Sequence, residues 1–186
     1  HAVCMFRDVS ERKRAEQMLQ LEYAVARCLD GADSTTEALR AVIRAICQTL
    51  NWECGRYLRV DDAAGVLRLV EYWSVPDSAL QGFLAAAYGF TYAPGVGMSG
   101  KVWQSGQPLW IPDITKDARA LTAIFKAESG LRGAFVFPVK AEGKTVGVFA
   151  FNSREIREPD THLLAAVQAI GGQVGGYLHR RLGDDA

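Results

Sequence analysis

The side chains best suited to covalent chemistry in this 186-residue sequence are four cysteines, Cys4, Cys28, Cys47 and Cys54, all in its first third. A nucleophilic cysteine acts as its thiolate, which requires a cation, a histidine or a helix N-terminus beside it and some access to solvent. No C-x-x-C pair is present, no histidine lies near Cys54, and no cysteine follows Cys54 that could resolve a sulfenic acid formed on it. Cys28 and Cys47 fall on apolar helical stripes and are expected to be small core hydrophobes. Of the three histidines, His1 is terminal, while His162 and His179 lie on the last helical segment, where surface positions are expected rather than haem ligation. The acids are scattered. No catalytic residue and no metal site are therefore predicted.

One spacing carries a second kind of chemistry. Gly95-Val-Gly97-Met-Ser-Gly100 satisfies G-x-G-x-x-G. Dinucleotide binding by that motif needs a buried strand just before the first glycine and a full helix after the third, so that a pyrophosphate meets the helix N-terminus. Here Tyr92-Ala93-Pro94 precedes it, and Gly106-Gln107-Pro108 stops any helix soon after it starts. The glycines are better explained by a loop that turns sharply and lets backbone segments approach closely.

The elements that must hold these residues follow from hydrophobic period. Ala2 to Val9 alternate weakly and are expected to form a strand. From Ser10, a plausible N-cap, Met18, Leu21, Val25 and Cys28 recur at helical spacing, and Asp30 to Ser34 break the pattern. A second helix places Leu39, Val42, Ile43, Ile46 and Leu50 on one face. The period then drops to two, predicting strands over Cys54–Val60 and Val66–Val75 around the Asp61–Gly65 turn. Asp77 can cap a helix running to about Ala87. A short helix near Gly100–Gln104 and a short strand at Leu109–Ile111 come next. Gly133–Val139 and Lys144–Phe151 form the clearest hairpin, turned at Glu142-Gly143. A last helix is expected from near Pro159 to about Leu182. The sum is α+β: an antiparallel sheet with helices from both chain ends packed on one face.

Bulk properties narrow the function classes. Net charge is zero, with 49% hydrophobic and 23% charged residues. Nucleic-acid binders concentrate basic side chains to neutralise ~6–10 phosphates. The one basic run here, Arg12-Lys13-Arg14, is flanked by Glu11 and Glu16 and reads as a solvated helix face. The uncharged stretch Ser78–Gly100 contains Pro94, Gln81, Thr91 and five glycines, which argues against a membrane span. No nucleic-acid partner and no direct membrane contact are expected, and unpaired cysteines suit a cytoplasmic location.

Two stretches together resemble GAF domains. The first is Gly95-Val-Gly-Met-Ser-Gly-Lys-Val-Trp-Gln-Ser-Gly-Gln-Pro-Leu-Trp-Ile-Pro-Asp113: a glycine loop, a short helix, Gly-x-Pro, a short strand and Asp. The second is Phe137-Pro-Val-x5-Thr-Val-Gly147-Val-Phe-Ala-Phe151, similar to the family's last hairpin, followed by Asn152, Ile156 and Asp160. In addition, Phe6-Arg-Asp-Val-Ser-Glu-Arg-Lys-Arg-Ala-Glu16 resembles the exit of a PAS domain. The implied organisation is a PAS remnant over 1–9, a signalling helix over 10–32, a GAF domain over 33–182 and a tail over 183–186. A PAS remnant joined to a GAF domain resembles sensor histidine kinases and diguanylate cyclases.

That resemblance implies a GAF-like sheet with the terminal helices on one face and a ligand-pocket segment on the other. The region of the family's pocket here holds many aromatics, with Tyr57, Trp73, Phe90, Tyr92, Trp110, Phe125 and Phe135 as candidate ligand contacts, beside Tyr88. Filling the core is the competing role for most of them. Asp113 is expected to cap the following turn, with ligand orientation as the alternative. Bilin-binding members attach their chromophore through a later cysteine, and none follows Cys54, so no covalent bilin and no other cofactor is expected. Ser153, Ile156 and Thr161 depart from the cyclic-nucleotide signature. The enzymatic alternative implied by the family is free methionine-sulfoxide reduction, with Cys54 as nucleophile. The apolar seams of the first and last helices, and Gly171-Gly172-Gln-Val-Gly175-Gly176 in the latter, lead us to expect a homodimer through the terminal helices.

Overall fold

The structure is a computed structural model that describes residues 2–120 and 130–184. Helix α1 (Ala2–Gly31) is followed by α2 (Thr35–Leu50), whose start is made by a reciprocal cap. The Ser34 hydroxyl accepts from the Glu37 amide at 3.1 Å, satisfying one amide that helix geometry leaves without a partner, and the Glu37 carboxylate accepts from the Asp33 amide just before the cap at 3.2 Å. Asn51 ends α2 in the left-handed conformation. The strands are β1 (Cys54–Asp61), β2 (Val66–Ser74), β3 (Thr91–Tyr92), β4 (Leu109–Ile111), β5 (Gly133–Ala141) and β6 (Lys144–Ser153). Helices α3 (Ser78–Ala86) and α4 (Gly97–Ser105) lie between them in sequence, and α5 (Thr161–Asp184) comes last.

The six strands form one sheet in the order β3-β2-β1-β6-β5-β4, every neighbouring pair antiparallel. The β5–β6 turn has positive φ at both Glu142 (52°) and Gly143 (78°), the geometry that matches the twist of a two-residue hairpin. In the β1–β2 turn the Asp61 carboxylate accepts from the Ala64 amide at 3.1 Å. One sheet face carries Tyr57, Phe135, Phe137, Phe149 and Phe151 into a core shared with α1, α2 and α5. The other carries Cys54, Leu58, Leu67, Val136 and Val148 against α3, α4 and Ile114. The expected α+β architecture, with the terminal helices together on one side, is what the chain adopts.

Two boundaries differ from expectation. Ala2–Val9 continue α1 rather than forming a strand, and Ser10 is an interior helical residue. Eight weakly alternating residues are too few to outweigh elongation of a helix already nucleated beside them. The last helix is capped by Asp160, whose carboxylate accepts from the amides of His162 (3.0 Å) and Leu163 (3.2 Å), leaving Pro159 just outside it.

The glycines of α5 divide by face. A β-carbon on Gly171 would lie 2.6 Å from the Pro138 carbonyl oxygen, and one on Gly175 would fall onto the Lys140 carbonyl oxygen. A β-carbon on Gly172 would meet nothing within 4 Å. Gly171 and Gly175 therefore let α5 lie directly on the backbone of β5. Close packing accounts for two of the four glycines, and the partner is a strand of the same domain.

Candidate functional site

The space between the sheet and the middle segment is built mainly from small and polar residues. Strand period sets this. With Tyr57, Phe149 and Phe151 turned to the helices, their neighbours Arg56, Ala150 and Asn152 must face the other way. From β3 comes Tyr92, from α4 Met98 and Ser99, and from β5 Ala134 and Val136. Together these residues enclose a chamber of about 10 Å³, room for roughly one water molecule. Arg56 is 3% exposed, with its guanidinium carbon 5.9 Å from the Phe83 ring centre. A buried charge persists only where its surroundings compensate the lost hydration. The Tyr92 hydroxyl and the Asn152 side-chain oxygen find no hydrogen-bond partner among the described residues, while the Asn152 amide nitrogen reaches the Gly133 carbonyl at 3.5 Å. Two unsatisfied buried polar atoms beside a guanidinium make the chamber suited to a polar occupant, water included.

The predicted contacts scatter. Tyr57 and Phe135 are buried in the helix-side core, and Trp73 and Trp110 pack against it. Trp110 sits edge-on to Trp52 at 5.6 Å, stacks obliquely on Phe135 at 4.8 Å, and donates its indole N–H to the Arg157 carbonyl at 2.7 Å. Phe90 is 46% exposed and Tyr88 is also exposed, with its ring 5.5 Å from that of Tyr72. Phe125 lies outside the described residues. Of the described candidates, Tyr92 alone reaches the chamber. Tyr57, Trp73, Trp110 and Phe135 take the competing role, filling or flanking the core. Aromatic mass was placed by its position in the chain, whereas side-chain parity sends most of it to the opposite sheet face. The residues missed were Arg56, Ser99 and Asn152. A signal for Arg56 was present, since an arginine inside Cys-Gly-Arg-Tyr-Leu is a charge where strand alternation leaves only buried faces.

Asp113 caps, as expected. Its carboxylate accepts from the Thr115 amide at 3.0 Å and the Thr115 hydroxyl at 2.6 Å, and it pairs bidentately with Arg132 at 3.0 and 2.7 Å. The Arg132 hydrogen bonds, foremost, and those of Thr115 hold its carboxyl well below the usual carboxylate range. Its folded-state pKa lies below the unfolded one. The stability it contributes is thus present above about pH 4 and lost as pH falls further. Asp113→Asn should lower the thermal midpoint at neutral pH. It should also flatten the further fall in midpoint between about pH 4 and 2, measured by circular dichroism.

The cysteine chemistry resolves on burial. Cys54 is fully buried on the chamber-side face, and burial pushes its thiol up to about 12. Cys47 is raised well above the usual value by burial, with Cys54 and Glu53 adding to it. At neutral pH burial therefore holds Cys54 as the neutral thiol. Alkylation by iodoacetamide, mapped by peptide mass spectrometry, is expected to leave Cys54 and Cys47 unmodified until denaturant is added. Rapid modification of Cys54 in the native protein would contradict this placement.

The Gly95–Gly100 loop has positive φ at Gly95 (80°) and Gly97 (65°), and it leads into a helix of nine residues. The strand before it, β3, pairs antiparallel with β2, unlike the buried parallel strand of the dinucleotide arrangement. Among the described residues no group of side chains has metal-ligand geometry, and no helix is long and apolar enough to cross a membrane.

Comparison with known proteins places this architecture. A family model described as the GAF domain matches residues 32–179. The GAF domain of a phosphoenolpyruvate-protein phosphotransferase from Coxiella burnetii superposes with a TM-score of 0.77 at 16% identity, covering 92% of this chain and 99% of that one. A GAF domain from A. aeolicus, of nlh2 in an inactive state, gives 0.73 at 18% identity, covering 90% and 99%. The free methionine-R-sulfoxide reductase of Neisseria meningitidis, in complex with its substrate, gives 0.72 at 13% identity, covering 89% and 90%. At these identities the likeness carries the fold. No curated protein sequence matches significantly.

Proposed function

We propose, from the premise that this chain belongs to the GAF domain family, that it is a sensory and regulatory domain that passes a signal through its terminal helices. The observation that carries this reading is the seat of α5 on β5. One side of that strand offers the Pro138 and Lys140 carbonyls to Gly171 and Gly175, and its other side offers Ala134 and Val136 to the chamber. A change of occupant that shifts β5 would bear on α5, because at Gly171 and Gly175 the helix lies directly on the strand backbone. Helix α1 packs beside α5 in the same layer, so entry and exit of the chain are mechanically joined. A small molecule acting here would do so by preferring one arrangement of these helices, with a coupling of about 1–3 kcal/mol.

The proposal includes a homodimer through α1 and α5, a cytoplasmic location and an output domain of the sensor histidine kinase kind; a diguanylate cyclase or phosphodiesterase is the alternative output. Exposed Leu19 and Tyr23 on α1 support the pairing. A second reading, a ligand-free dimerisation spacer, is supported by the small volume of the chamber. Native mass spectrometry of freshly purified protein separates the two: a dimer carrying additional bound mass supports the sensor, a bare dimer the spacer, and a bare monomer at high concentration refutes both. The buried, protonated Cys54 speaks against a reductase. Turnover of methionine sulfoxide with a thiol reductant would reverse that conclusion.

A further inference from the structure

Where α5 leaves the domain, a cleft of about 440 Å³ opens between the helical layer and the sheet. It originates in strand pairing. β1 and β6 pair from Cys54↔Asn152 to Arg59↔Gly147 and stop, yet both hairpins continue, β1 with β2 to Asp61 and β6 with β5 back to Lys144. The hairpin ends separate beyond Arg59, bridged at the rim by Lys144 and Asp62 at 3.3 Å. Each hairpin also holds one β-bulge. Pairing passes from Tyr57↔Glu71 to Leu58↔Leu69, leaving Val70 over, and from Val139↔Gly147 to Lys140↔Thr145, leaving Val146 over. Both surplus valines line the same cleft. Bulges re-aim a side chain and bend their strand, and they gather beside functional sites. Two of them, from different hairpins, converge here.

The chemistry of the cleft has two parts. Tyr57, Val70, Val146 and Leu178 make an apolar floor, and Arg59, Lys144 and Arg181 face a single lining carboxylate, Asp62, which Lys144 already engages. Arg181 donates to the Ala32 carbonyl at 3.3 Å and lies over the Tyr177 ring, and His179 meets Glu142 at 3.2 Å. Arg59 is exposed, and its charge is felt by the Asp61 carboxylate and the Tyr57 hydroxyl without a direct hydrogen bond to either. We propose that this cleft binds a small, freely soluble amphipathic carboxylate, its apolar body on Val70 and Val146 and its charge toward Arg59. The volume is within the roughly 300–1,000 Å³ of small-molecule sites. The site is on the sheet face opposite the chamber and is independent of it. Because Leu178 and Arg181 belong to the last turns of α5, an occupant ties the exit of that helix to the sheet.

Decanoate is a suitable probe, titrated into the ¹⁵N-labelled full chain and followed by amide chemical shifts, with acetate and decanol as controls. Saturable shifts centred on Val70, Val146 and Leu178 are expected for decanoate, with no saturation for acetate. Removing the charge, either with decanol or by the exposed Arg59→Gln, should weaken binding about fivefold. Val146→Asp should abolish it. Failure of decanoate to saturate, shifts centred on Arg56 and Asn152, or unchanged affinity in Arg59→Gln would each overturn the assignment.

Discussion

Replacing Gly175 by alanine is expected to destabilise the protein by about 3 kcal/mol, the upper end of the usual cost of overpacking. Replacing Gly172, three positions earlier on the same helix, should stabilise it by about 0.5–1 kcal/mol. Helix propensity alone treats the two glycines alike. Their surroundings do not, because the added methyl at Gly175 collides with the Lys140 carbonyl, a backbone atom fixed in the β5–β6 ladder, whereas the one at Gly172 points into open space. Urea unfolding midpoints, compared at constant m-value, read both effects. If both substitutions moved the midpoint the same way, α5 would not lie on β5 as described, and the transmission route would lose its basis.

The second large effect concerns Phe135, whose truncation to alanine should cost about 3–5 kcal/mol. The ring packs among Trp110 (4.8 Å), Phe137 (5.5 Å) and Trp52 (6.4 Å) in the helix-side core, sealed by Arg157 over Trp52 at 4.9 Å. Tyr92→Phe, in contrast, removes a buried hydroxyl that has no partner among the described residues, so stability should change little or rise slightly. Calorimetry or urea unfolding would show the contrast. A Phe135→Ala protein of native stability would place that ring in a ligand pocket after all.

Local chemistry was legible from the residues. Asp77 caps α3, its carboxylate accepting from the Leu80 amide at 3.1 Å, and Glu142-Gly143 turns the last hairpin, because such signals act over two to four residues and need no partner from elsewhere in the chain. Cys47 was recognisable as a core residue from its helical stripe. The family motifs were equally visible, since a glycine loop followed by Gly-x-Pro constrains the backbone wherever it occurs. The site was not legible in the same way. Alternation sorts Tyr57 from Arg56 and Phe135 from Ala134, but does not say which set meets the helices. A bulge such as Val70 or Val146 interrupts the alternation without any mark in residue type.

Most helices and strands after Ser10, the Asp77 and Asp113 caps, the two hairpin turns and the antiparallel hairpins were thus legible in the sequence alone, because each depends on neighbours close along the chain. Tertiary structure decided that Phe135 and Trp110 serve the core and that Arg56, Tyr92 and Asn152 share a chamber. It also decided that Gly175 touches a strand while Gly172 touches nothing. These outcomes depend on register and on which layer covers which face, and a shift of one residue in pairing exchanges the two faces of a strand while leaving its local preferences unchanged.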